Sequence, residues 1–171
     1  MRYIIIITAS VLLAACTPAK SGPEKRAYPT QTLTHKAYYY YGLHEVKDRD
    51  VIKDIMGVDP VRTQWCAAFV NMILLEQYLP TSESVSSNPL LAQSFLEWGN
   101  SVKEPQKGDI VVFKRGAAWQ GHVGFYVSTV IDQNGVKYYN IIGGNQSDAV
   151  TIEPYAASRT LSILRLDTSI Y

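Results

Sequence analysis

Thr63-Gln64-Trp65-Cys66-Ala67-Ala68-Phe69-Val70-Asn71 reads as a loop that delivers a cysteine to the first turn of an amphipathic helix. From there Cys66, Phe69, Val70, Ile73, Leu74 and Gln77 recur at spacings of three and four, which predicts one buried stripe on a helix that stops before Pro80. A thiol at a helix start feels the positive end of the peptide dipole, which favours its thiolate. This helix is expected to be the central packing element and to carry a nucleophile.

Upstream, Val51 to Met56 predicts a short helix closed by Gly57, since glycine readily takes the left-handed conformation that ends helices. The run Tyr38 to Tyr41 would spread over all faces of a helix, and core packing is the role expected of it. Downstream, Asn88-Pro89 offers an N-cap and a proline for the first helical position, Leu91, Phe95 and Trp98 a packing face, and Gly99 a stop.

After Pro105-Gln106-Lys107-Gly108 the period changes to short β-rich runs: Ile110 to Phe113, His122 to Val127, Val136 to Ile142, Ala149 to Ile152 and Thr160 to Leu166. Asn134-Gly135 between two of them is the clearest hairpin signal. Helices first and strands afterwards predict an α+β domain in which N-terminal helices pack on an antiparallel sheet.

Residues 1–15 hold Arg2, a mostly apolar run from Tyr3 to Leu13 that is too short to span a bilayer, and Leu13-Ala14-Ala15 directly before Cys16. This order resembles a bacterial lipobox, which implies cleavage before Cys16 and acylation of that residue. Two or more acyl chains anchor a protein stably in a membrane. Thr17 stands where an aspartate resembles an inner-membrane retention signal, so in a host with two membranes the periplasmic face of the outer membrane is expected.

Pro18, Gly22, Pro23 and Pro29 then predict an extended tether. The expected division is a signal peptide over residues 1–15, the lipidated cysteine and tether over 16–34, and one domain over 35–171. Removing residues 1–15 takes away Arg2 and no acid, which leaves 15 basic side chains, 16 less one, against 15 acidic. That balance points to no nucleic acid or other polyanionic partner.

With Cys16 lipidated, Cys66 is a lone thiol in an exported chain. Of the three histidines, His35 lies near the tether and His44 in an early polar stretch, whereas His122 opens a predicted strand between Gly121 and Gly124. A histidine at a strand end facing a cysteine at a helix start makes a pair for acyl transfer. Asn145, in Gly143-Gly144-Asn145-Gln146, is the expected orienter of the imidazole, because the hairpin returns its strand toward His122; Asp109 and Asp148 compete.

The backbone N–H of Cys66 and the side chain of Gln64 are candidates to hold an oxyanion, and Trp65 and Trp119 to line a groove, with packing preferred for Trp65. Taken singly, each residue has a structural reading: a core cysteine, a strand-end histidine, a glycine-rich turn. Cys66, His122 and Asp109 lack the close-spaced ligand pair usual in structural zinc sites, so no metal or cofactor is expected.

Together the pieces match a family. From about Tyr41 to Leu166 the chain resembles the NlpC/P60 and CHAP superfamily of cysteine peptidase and amidase domains, especially its small endolysin-like branch. The matching motifs are Gly42-Leu43-His44-Glu45, Trp65 to Asn71, Phe95-Leu96-Glu97-Trp98-Gly99, Gly108 to Phe113, Gly121 to Tyr126 and Gly143 to Ser147.

The resemblance implies a papain-like fold with Cys66 as nucleophile, His122 as base and Asn145 as third residue. It implies peptidoglycan as partner, cut within the stem peptide or at the amide joining that peptide to the sugar. A carboxylate that CHAP-type members carry has Gly143 in its place here. The alternative is a wall-binding or adaptor lipoprotein that keeps the fold without catalysis.

Overall fold

The computed structural model describes residues 31–166, so the signal peptide, Cys16 and the tether up to residue 30 lie outside the described residues. Three α-helices come first: α1 (Gln31–Tyr38), α2 (Arg49–Met56) and α3 (Cys66–Glu76). Leu33 and Thr34, which the sequence assigns to the tether, are buried on α1, so the packed domain begins before residue 35. Gly57 closes α2 with φ 67° and donates its N–H to the Lys53 carbonyl, as its position predicts.

α3 departs from the amphipathic stripe, for every residue from Cys66 to Leu74 is buried. A helix apolar all round belongs inside a core, and α3 packs against strands on one side and α1 and α2 on the other. Phe69, Ile73 and Leu74 are fully buried, and each such side chain stabilises the fold by about 2 kcal/mol. From the tyrosine run only Tyr40 joins this packing, edge-on to Phe69; Tyr38, Tyr39 and Tyr41 are exposed.

The segment opened by Asn88-Pro89 forms no α-helix. It holds a 3₁₀ stretch, Ala92–Glu97, because the Pro89 carbonyl, which an α-helix would use, accepts instead from the Asn71 amide of α3 at 3.1 Å. Phe95 and Trp98 still pack inward and Gly99 takes φ 63°.

The strands are β1 (Asn100–Ser101), β2 (Ile110–Lys114), β3 (Gly121–Ile131), β4 (Lys137–Gln146), β5 (Ala149–Ala156) and β6 (Thr160–Arg165). They form one sheet in the order β1-β6-β2-β3-β4-β5 with every pair antiparallel. Alternation sends Ile110, Val112, Val123 and Phe125 toward the helices, and Val111, Phe113 and Tyr126 toward a smaller aromatic cluster on the other face. The helix-against-antiparallel-sheet arrangement is the one expected.

Candidate active site

Trp65 places the cysteine. Its ring is fully buried and its Nε1–H donates to Glu45 Oε2 at 3.2 Å, which fixes the residue preceding α3. Gly144 on β4 makes room for that ring, since a Cβ there would stand 2.5 Å from the Trp65 six-membered ring and 2.8 Å from Phe69 Cβ. The helix start is thereby pressed against β4, and Cys66 becomes its first residue.

Cys66 is 4% exposed and lies on the floor of an open groove of about 340 Å³. Backbone N–H groups of Val123, Ala67 and Cys66 itself lie within reach of its thiol, which places Sγ between the start of α3 and the β3 residue after the histidine. Burial pushes the thiol above its ordinary value, and these N–H groups and the charge of Arg115 offset only part of the rise. Desolvation thus opposes the thiolate that the helix start favours.

His122, on β3, is fully buried, opposite Phe113 in the register and stacked on Tyr155 with ring centroids 4.8 Å apart. Its Nε2 meets Gln146 Oε1 at 2.8 Å. Gln146 is itself 1% exposed, and its Nε2 donates to the Ile141 carbonyl at 3.2 Å and the Thr151 carbonyl at 2.7 Å. Carbonyls only accept, so the NH₂ end of Gln146 faces them and its oxygen faces the ring.

The proton of the neutral imidazole consequently sits on Nε2, and Nδ1 keeps its lone pair. That Nδ1 is buried and has no hydrogen-bond partner, the Cys66 thiol included. Burial carries His122 down to about 4, with Gln146 opposing the shift and the charges of Arg115 and Arg159 adding to it. Both shifts favour the neutral form, thiol and imidazole alike.

Asn145 does not orient the imidazole. Its side chain donates to Gln64 Oε1 at 2.9 Å, and the residue takes φ 56° where the β4–β5 register shifts between Gly143 and Gln146. The irregularity breaks the two-residue alternation, so Gln146 turns inward. Gly143 leaves it the space, as a Cβ there would lie 3.1 Å from Gln146 Oε1 and 3.4 Å from His122 Nε2.

Asp109 is excluded from the same role, because Arg165 Nε and Nη2 bind its two oxygens at 2.9 and 2.7 Å. Asp148 sits exposed in the following turn. His35 meets Tyr39, and His44 Nδ1 accepts from the Val46 N–H, so neither reaches the site. Gln64 lines the groove with Cys66, and Trp119 lies on its exposed side.

A CHAP domain model matches residues 58–145, just over half of the 171-residue chain. CHAP domains are typically hydrolases acting on peptidoglycan. No curated protein and no solved structure matches the chain. The matched span contains both Cys66 and His122 and stops one residue short of Gln146. The chain belongs to the CHAP domain family.

Proposed function

We propose that the protein is a lipid-anchored peptidoglycan hydrolase that cuts an amide of the wall peptide through Cys66 and His122, on a papain-like arrangement of the NlpC/P60 kind. One observation carries this reading: a buried imidazole whose Nε2 is locked by Gln146 while Nδ1 is left vacant, on the residue before Val123, whose N–H reaches the Cys66 thiol at the start of α3. A merely structural buried histidine satisfies both nitrogens.

In the reaction, substrate binding brings thiol and imidazole into contact, and catalytic hydrogen bonds commonly tighten at that stage. Sγ attacks the amide carbonyl as its proton passes to His122 Nδ1. The same proton is then delivered to the leaving amine. Water, deprotonated by Nδ1, attacks the thioester and returns the thiol.

The tetrahedral oxygen is held by the first N–H groups of α3, which have no partner within the helix, and by the Gln64 amide. Acyl chains on Cys16, followed by a tether, would hold the domain at the periplasmic face of the membrane within reach of the wall.

Incubating the domain with purified peptidoglycan beside Cys66→Ala tests the reading by released fragments. The expected result is fragment release that falls by at least about 10³-fold in the variant. Equal release by both proteins removes the cysteine mechanism, and no release by either favours an adaptor that keeps the fold.

A further inference from the structure

The groove above Cys66 carries a cation that the reaction just described does not use. Arg115 lines it together with Gln64, Cys66, Leu91, Trp119 and Gln120. No carboxylate lines the groove, and among the described residues the Arg115 guanidinium enters no ion pair. It shares the groove with Cys66, and its charge is felt by the thiol and by the His122 imidazole.

The loop that presents it is tied down. The Arg115 N–H donates to the Gln120 carbonyl at 3.3 Å, the Ala117 N–H to Gln120 Oε1 at 2.8 Å, and Gln93 Nε2 to the carbonyls of Ala118 and Gln120 at 2.7 and 3.2 Å. A guanidinium held on a fixed loop, beside an apolar wall and a helix N-terminus, matches the planar fork of a carboxylate.

We propose that Arg115 is a specificity-determining residue that binds a free carboxylate on the substrate residue next to the scissile amide, so that the preferred substrate is an anionic peptide. The proposal rests on the hydrolase reading and names the chemistry of its substrate. An amidated or uncharged residue at that place would leave the guanidinium unpaired and would be cut more slowly.

Two reagents test the site without any substrate: iodoacetate, which carries a carboxylate, and iodoacetamide, which does not. Both alkylate the Cys66 thiolate, so the ratio of their rates cancels any change in thiolate fraction. The wild-type ratio is expected to exceed that of a free model thiol and to fall roughly tenfold in Arg115→Gln, with Arg115→Lys between them. A ratio equal to the free thiol's, or unmoved by Arg115→Gln, overturns the proposal.

A matched pair of wall peptides, one with the neighbouring carboxylate free and one with it amidated, completes the test. Arg115→Gln should lower kcat/KM roughly 10- to 100-fold more on the first than on the second, since both substrates lose the charge near the thiol but only the first loses its partner. Equal losses on both peptides assign Arg115 to the thiol chemistry and overturn the substrate proposal. The expected alkylation ratio with no cleavage of either peptide sinks the hydrolase reading and keeps the anion site.

Discussion

Two buried polar clusters lie on this sheet, and they are finished differently. Asp109, 1% exposed at the start of β2, has every near partner it can use: Arg165 on both oxygens and the Gln106 N–H on Oδ2 at 2.7 Å. His122, fully buried on the next strand, has one nitrogen fixed through Gln146 and the other empty. The saturated cluster joins β2 to β6. The unsaturated one leaves a desolvated nitrogen with its lone pair free, the group proposed as the base. A shortfall in hydrogen bonding, next to a partner that is fully satisfied, is what marks this cluster as the candidate site beside the structural one.

Breaking the saturated cluster should give the largest effect. Asp109→Ala removes the acceptor of two charge-assisted bonds from the part-buried Arg165 and of the Gln106 N–H bond, and these losses together are expected to cost about 3 kcal/mol of stability. Denaturant unfolding measures it, and the folded fraction should keep the wild-type kcat. A drop in kcat of the folded protein would mean that the two clusters are not separate.

Acid should strain the other cluster. The folded His122 titrates at about 4 against an ordinary 6.5, so between those values the unfolded chain binds a proton that the folded chain refuses. Stability is therefore lost as pH falls from about 6.5 towards 4. Between pH 7 and 4.5, wild type should lose about 2 kcal/mol more than His122→Gln, which cannot titrate. Parallel loss in both proteins would put the histidine's burial in error.

Gln146→Leu sharpens the contrast further. It keeps approximate volume, removes the acceptor from Nε2 and frees the imidazole to change tautomer. A fall of about tenfold in kcat is expected, roughly 1.4 kcal/mol of barrier, with KM unmoved because Gln146 does not line the groove. A shift in KM with kcat intact would make Gln146 part of the binding surface instead.

Much of this architecture was legible because period and position are local properties. The 3.6-residue spacing located α3, the change of period at Gly108 located the sheet, and Cys66 and His122 stood at the ends of strongly patterned elements. What escaped depended on long-range events. No spacing near Pro89 reveals that its carbonyl serves Asn71, which turns an expected helix into 3₁₀ turns. Nor does alternation along β4 survive Asn145 at φ 56°, so the inward side chain falls on Gln146, one residue later. The available signal was Gly143: a vacant position beside the imidazole needs a long amide from nearby to fill it.

Asn145 then tests the smallest difference. It shares a turn with Gln146 but works at the surface, holding Gln64 Oε1 and so leaving the NH₂ of that amide as the polar end available to the groove beside Cys66. If Gln64 helps to hold the oxyanion, losing this bond lets it wander, and kcat should fall about threefold, well under the effect of Gln146→Leu. Alanine alone would confuse this loss with backbone strain, since a left-handed φ costs an ordinary L-residue roughly 1 kcal/mol. Asn145→Gly removes the amide and relaxes the φ, so the threefold loss should persist while stability is kept or raised. Full turnover in the glycine variant would leave the bond to Gln64 without a catalytic role, and a loss as large as that of Gln146→Leu would return the imidazole's orientation to Asn145.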